Sequence, residues 1–346
     1  MVVSMASGCG SKASSESKGE TKKETSAQDT KEVEAVDQRE VFVSPDWVKS
    51  VIDGNQKESD NYKIFEVSWG AESDSPTYSE GHIPGAIHFD TEQVECEPYW
   101  NLCDADVLEE ALLNMGITKD TTAIFYGDPN GEVARVAYAC VYAGVENIKV
   151  VNGGIDAWKK AGYDVEKDSN EAKAEKDFGT TVPAHPEYWV SIDDAKERLK
   201  NDGNFKLVSI RSEDEWLGKT SGYTYIDKAG EPEGAVWGHC GSDPYNMEDY
   251  VKEDGTVISF DEMKELWSDC DFTIDNDLAF YCGTGWRACV PFLIAYGAGY
   301  DNVAVYDGGW YQWQMDESLP VQVGDPASAD CQHTTVGELP TDKAAK

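Results

Sequence analysis

Basic residues are scarce in this chain: 29 Lys and Arg face 66 Asp and Glu, a formal net charge of −37. A field of that sign repels phosphate backbones and anionic lipid surfaces, which excludes nucleic acid as a partner. Long apolar runs are missing too. Nowhere do about eighteen apolar residues follow one another, the length a helix needs to cross the hydrocarbon of a bilayer. No CxxC pair occurs, so no metal site is indicated. The nine cysteines (positions 9, 96, 103, 140, 240, 270, 282, 289 and 331) are odd in number and too widely scattered for a disulfide scaffold. Most are expected to be buried thiols acting as small hydrophobes. Cys96 with Cys103, or Cys240 with Cys270, are pairs that an oxidising compartment would allow to bridge. What is abundant is core-forming material: 40% of the 346 residues are hydrophobic, with 11 Trp, 17 Tyr and 10 Phe, enough for two domains with two cores.

Residues 1–40 are rich in Ser, Lys, Glu and Thr and nearly devoid of large apolar side chains, so they are expected to form a flexible tether. Within them Ala6-Ser7-Gly8-Cys9 resembles the bacterial lipobox, which implies lipidation of Cys9 and a protein anchored outside the cytoplasmic membrane. Residues 327–346 read as a polar tail.

Between these ends the chain repeats itself at a constant offset of 155 residues. Tyr126 corresponds to Tyr281, Gly153 to Gly308 and Trp158 to Trp313. Upstream, Lys63-Ile64-Phe65-Glu66-Val67 parallels Lys206-Leu207-Val208-Ser209-Ile210, and Gly81-His82-Ile83-Pro84-Gly85-Ala86 parallels Glu231-Pro232-Glu233-Gly234-Ala235. Short apolar strands alternating with helical stretches such as 107–115 and 193–199 predict parallel βαβ units with helices on both faces of each sheet. The fold class is therefore α/β, with one domain over 41–170 and a second over 171–326, joined by a polar stretch ending near Pro183 and Pro186.

Chemistry concentrates in Cys282-Gly283-Thr284-Gly285-Trp286-Arg287. A cysteine directly after a strand, a glycine-rich bend and then a helix turn successive N–H groups into one small bowl, to which the helix adds its positive end. Such a bowl favours the thiolate of Cys282, and Arg287 is expected at its rim with a further positive charge. The blander role for Cys282, a small residue packed at a strand end, leaves the surrounding glycines unexplained. Trp286 reads equally as a packing residue or a substrate contact. His82 and His88 read as structural, and His239 as a residue bordering the cleft between domains.

On these motifs the chain resembles a tandem-domain rhodanese-family sulfurtransferase over 41–323. The 81–86 stretch, the Asp307-Gly308-Gly309-Trp310 turn and the Cys282 loop carry the resemblance. It is closest to bacterial periplasmic thiosulfate/3-mercaptopyruvate sulfurtransferases through Trp237-Gly238-His239 and Met247-Glu248-Asp249. The resemblance implies that Cys282 is the catalytic nucleophile, that Gly283, Thr284, Gly285, Trp286, Arg287 and Arg211 bind the substrate, and that no cofactor is required. It also implies that the first domain is inactive, because the offset places Gly127 where Cys282 stands. The chain departs from the family at Ser209, where an aspartate is usual, and at Glu215, where thiosulfate enzymes carry a second arginine.

The implied reaction moves sulfane sulfur from thiosulfate or 3-mercaptopyruvate through a Cys282 persulfide to a thiol or cyanide acceptor. A phosphatase is the rival enzyme. Its phosphate cradle needs five residues between cysteine and arginine, and here only four separate Cys282 from Arg287. A non-catalytic binding or thiol-sensing module is the alternative from another class.

Overall fold

The computed structural model describes residues 33–346; Cys9 and most of the expected tether lie outside them. The first half supplies strands β1 (Phe42–Val43), β2 (Tyr62–Ser68), β3 (Ala86–Asp90), β4 (Glu95–Cys96), β5 (Asn101–Leu102), β6 (Thr122–Gly127) and β7 (Asn147–Val151). The second half supplies β8 (Trp189–Val190), β9 (Phe205–Ser209), β10 (Glu231–Pro232), β11 (Val236–Trp237), β12 (Asp277–Tyr281), β13 (Val303–Tyr306), β14 (Pro320–Val323) and β15 (Gln332–Thr335).

Two five-stranded parallel sheets result, ordered β1-β7-β6-β2-β3 and β8-β13-β12-β9-β11, which is the same permutation twice. The inner strands read as unbroken apolar runs, Ala-Ile-Phe-Tyr in β6 and Leu-Ala-Phe-Tyr in β12, because helices cover both faces and bury every side chain. The helices start where the sequence marks them. Ser44 accepts from the Trp47 amide ahead of helix Pro45–Ile52, and Ser259 and Glu262 form a reciprocal cap on helix Phe260–Leu266.

The halves do not keep separate cores. Helix Glu132–Ala143 of the first packs on helix Cys289–Gly297 of the second, with Tyr138 edge-on to Phe292 at 4.9 Å between ring centres. One apolar cluster runs from Phe65 and Phe125 through Tyr138 to Phe292 and Phe280. The helix behind Cys282 is thus clamped between its own sheet and a helix of the first domain, which limits its freedom to shift.

Residues 327–346 are not a loose tail. Strand β15 pairs antiparallel with β14, which also pairs with β10. Val336 and Leu339 are buried in the second domain's outer core. The Ser221 amide then donates to the Lys343 carbonyl at 2.8 Å and the Ala345 amide to the Tyr223 carbonyl at 3.1 Å. The sequence misled here because Gln-His-Thr-Thr has no apolar alternation, yet an edge strand needs only backbone partners.

Candidate active site

Cys282 follows β12 at the carboxyl edge of the second sheet, where parallel sheets place their ligands. The Gly285 amide donates to Cys282 Sγ at 3.2 Å. The amides of Thr284, Trp286 and Arg287 meet no protein acceptor among the described residues. Two features hold this bend open. A Cβ on Gly283 would stand 2.3 Å from the Tyr223 ring, and one on Gly309 would stand 2.3 Å from the Gly283 carbonyl. Glycine at both positions lets the Asp307-Gly308-Gly309-Trp310 turn press against the loop, where the Trp310 and Tyr311 amides donate to the Cys282 and Gly283 carbonyls at 2.8 and 3.0 Å.

Beneath the loop lies a buried ionic cluster. Arg287 is only 2% exposed and donates through both terminal nitrogens to the two oxygens of Glu215, each at 2.9 Å, and to the Tyr223 hydroxyl at 3.0 Å. Arg211, fully buried, meets Glu215 at 3.2 Å, Glu231 at 2.6 Å and the Gly230 and Ser221 carbonyls. Burial opposes ionisation of Glu215, but Arg287 and Arg211 together outweigh it and hold its carboxyl down at about 2. Burial pushes Glu231 up to about 7 against the pull of Arg211. Two expectations are corrected. Arg287 is not a rim charge but a buried cation paired with Glu215 at the base of the cleft, and Arg211 does not reach the substrate space because each of its nitrogens already has a protein acceptor. Glu215 replaces a family arginine with the counterion of both.

Cys282, Thr284, Trp286 and Arg287 line a cleft of about 630 Å³ together with Tyr223, Tyr225 and Tyr245. The opposite wall belongs to the first domain: Trp69, Glu92, Glu95, Glu97, Trp100, Asp128, Asn130 and Glu132. Cys282 is 1% exposed because it forms the floor of this cleft. The first domain also holds the loop. Buried Arg135 binds Glu95 through Nε at 2.8 Å, Asp307 at 2.6 Å and the Trp100 carbonyl at 3.0 Å, while Trp286 Nε1 donates to Glu95 at 2.8 Å. A Cβ on Gly285 would lie 3.0 Å from both Arg135 Nη1 and Asp307 Oδ1. Burial lifts the Glu95 carboxyl to about 7 even though Arg135 and Trp286 oppose it.

The remaining expectations sort by position. Gly127 takes the place of Cys282 in the first copy, and a Cβ there would stand 2.3 Å from the Val67 carbonyl oxygen. That loop still contributes Asp128 and Asn130 to the wall. His82 stacks on Tyr78 at 3.9 Å and His88 bonds Glu66 at 2.8 Å, so both build the first domain. His239 packs on Trp237 at 4.1 Å and is not among the residues lining the cleft. Cys96 and Cys103 form a disulfide, whereas Cys240 and Cys270 do not pair. Sequence reasoning missed Tyr223, Glu95, Trp100 and Arg135. A tryptophan enclosed between Cys96 and Cys103 was the one available signal, of a pinned loop.

The model of the rhodanese-like domain matches residues 44–161 and 191–316. Thiosulfate sulfurtransferase YnjE of Escherichia coli K12 is 41% identical over 290 residues; the match covers 83% of this chain and 66% of that protein, so the chain spans about two thirds of its relative. The thiosulfate/3-mercaptopyruvate sulfurtransferase 2 of Arabidopsis thaliana is 29% identical, over 82% of this chain and 86% of that one. The crystal structure of YnjE superposes with a TM-score of 0.78, covering 82% of this chain and 68% of the other. A structure of EanB carrying a cysteine persulfide, with ergothioneine, does so at 0.78 with 35% identity, covering 86% and 74%. In EanB the altered tyrosine lies 59 residues before the persulfide cysteine and the altered threonine two after it, the intervals separating Tyr223, Cys282 and Thr284. With both repeats matched by one family model and both sheets strung in one order, the chain belongs to the rhodanese family of sulfurtransferases, as a tandem of two rhodanese-like domains.

Proposed function

We propose that this protein carries sulfane sulfur on Cys282, taking it from thiosulfate or 3-mercaptopyruvate and passing it to a thiophilic acceptor. The observation that carries this reading is the Gly285 N–H on Cys282 Sγ at 3.2 Å, at the floor of a cleft roomy enough for a small donor. The Cys282 thiolate attacks the outer sulfur of the donor. The S–S bond of thiosulfate breaks with its electron pair leaving on sulfite; with mercaptopyruvate the C–S bond breaks and the carbon fragment takes a proton to become pyruvate. The free amides of 284, 286 and 287 receive the negative charge of the new persulfide. The acceptor then attacks the outer sulfur and restores the thiolate. Arg287, tied to Glu215 through both terminal nitrogens, shapes the loop rather than holding the donor.

The persulfide-bearing EanB structure supports this assignment of Cys282 and Thr284. Lipidation of Cys9 and an extracytoplasmic location belong to the same reading, and the Cys96–Cys103 disulfide supports the location, since such bonds persist in oxidising compartments. Steady-state comparison of the two donors with cyanide as acceptor tests the reading: turnover with at least one donor, abolished in Cys282→Ser, is the expected result, and no turnover with either overturns it.

A further inference from the structure

We propose that the first domain, which lacks a nucleophile, is the acceptor-selecting half of the site, and that the acceptor it admits is a cationic thiol bearing an ammonium or quaternary ammonium group. This rests on the persulfide reading above and names the substrate class that discharges it.

The carboxylates of Glu92, Glu97 and Asp128 line the cleft from the first domain, with that of Glu132 beside them raised by burial to about 7, and the only cation among the described lining residues, Arg287, is bonded through both terminal nitrogens to Glu215. Loaded with sulfur, Cys282 still carries at the floor the single negative charge of its thiolate. A cleft of this sign, with low-dielectric walls, favours a cationic acceptor over an anionic one of similar size. An anionic donor meets the same field and must be held against it by the N–H groups of the loop, whereas a cationic acceptor gains from it.

Trp69, Tyr225 and Tyr245 are 66, 49 and 65% exposed, three of the large apolar side chains left most open to solvent, and all three stand at this cleft. Trp100 completes the group, with its ring 5.7 Å from Tyr225 and 5.2 Å from Tyr311. Aromatic faces beside carboxylates are the surroundings in which an ammonium head binds well. Trp100 is presented with care. It sits in the left-handed region at φ 55, between the disulfide-linked Cys96 and Cys103, with its carbonyl held by buried Arg135 at 3.0 Å. A strained backbone kept in place by a disulfide and a buried ion pair is a feature that function, rather than folding, accounts for.

The acceptor thiolate attacks the outer sulfur of the Cys282 persulfide, the S–S bond to Cys282 breaks, its electron pair returns to Cys282 Sγ, and the acceptor leaves as a persulfide. Single-turnover discharge tests the proposal. Sulfur-loaded protein is mixed with thiocholine, 2-mercaptoethanol or 3-mercaptopropionate, and loss of the one-sulfur adduct is timed, each rate being divided by that thiol's rate with glutathione persulfide. Thiocholine is expected to be favoured over 3-mercaptopropionate by roughly tenfold or more at low salt. That preference should shrink at high salt and in the Glu92→Gln/Glu97→Gln variant, both positions being exposed. Equal rates, or a preference for the anion, overturn the proposal, and an undiminished preference in the variant overturns its assignment to the first domain. If no adduct forms on Cys282 at all, the persulfide reading fails instead.

Discussion

Trp286, in the loop that carries Cys282, donates its indole N–H at 2.8 Å to Glu95, a residue of the other domain. One domain bears the nucleophile and the other holds its loop. The Glu95 carboxyl, raised by burial from its ordinary 4.5 to about 7, makes this contact sensitive to pH.

The sign follows from proton linkage. Between about 4.5 and about 7 the folded protein binds the Glu95 proton and the unfolded chain does not, so stability falls as pH rises through that window. Glu231, raised to about 7, adds to the same trend. Thermal unfolding from pH 5 to pH 7.5 should show a falling midpoint, and Glu95→Gln should flatten the slope. A slope unchanged in the variant would contradict the coupling.

Glu215 works in the opposite sense. Its carboxyl is held at about 2, so the stability it supplies is present above 4.5 and is lost as pH falls toward 2. Glu215→Gln leaves Arg287 and Arg211 buried with one fewer counterion, which costs about 3–5 kcal/mol. Denaturant unfolding at pH 7 checks it; a loss below about 1 kcal/mol, the range of surface pairs, would show that the cluster is not as sealed as it stands here.

Gly283→Ala forces a methyl group to within 2.3 Å of the Tyr223 ring. The ring or the loop must give way, and either movement shifts the amides around Cys282. Sulfur loading from thiosulfate or 3-mercaptopyruvate should slow by roughly tenfold or more, as a displacement of about 1 Å commonly does at a reacting centre. Unchanged loading would show that the bend tolerates repacking.

Removal of residues 332–346 exposes what Val336 and Leu339 cover and frees the 221–223 segment from Lys343 and Ala345. Burial of two such side chains is worth about 3–6 kcal/mol, so the truncated chain should unfold at lower denaturant. Because Tyr223 borders both Gly283 and Arg287, sulfur transfer should fall with it. A truncated protein equal to the full chain in both measurements would restore the reading of this segment as a mere tail.

What could be read beforehand was whatever the repeat carries in contiguous form. The constant offset exposed both sheets, the loss of the nucleophile at Gly127 and the Cys282 loop, since each is a run of neighbouring residues. The network of Glu95, Arg135 and Asp307 was not legible, because its members are far apart in the chain and a charged residue in an acidic sequence reads by default as solvent-facing. Arg287 was misplaced for the same reason: its counterion, Glu215, lies 72 residues upstream. The edge strand β15 escaped notice because polar side chains hide a backbone that pairs.

The most direct test of the central claim is intact-protein mass spectrometry after incubation with thiosulfate or 3-mercaptopyruvate, followed by peptide mapping. The account predicts a gain of one sulfur on Cys282, removed by cyanide and absent from Cys282→Ser. A protein left unmodified at Cys282 by both donors, or one that gains the sulfur on another cysteine, would contradict it.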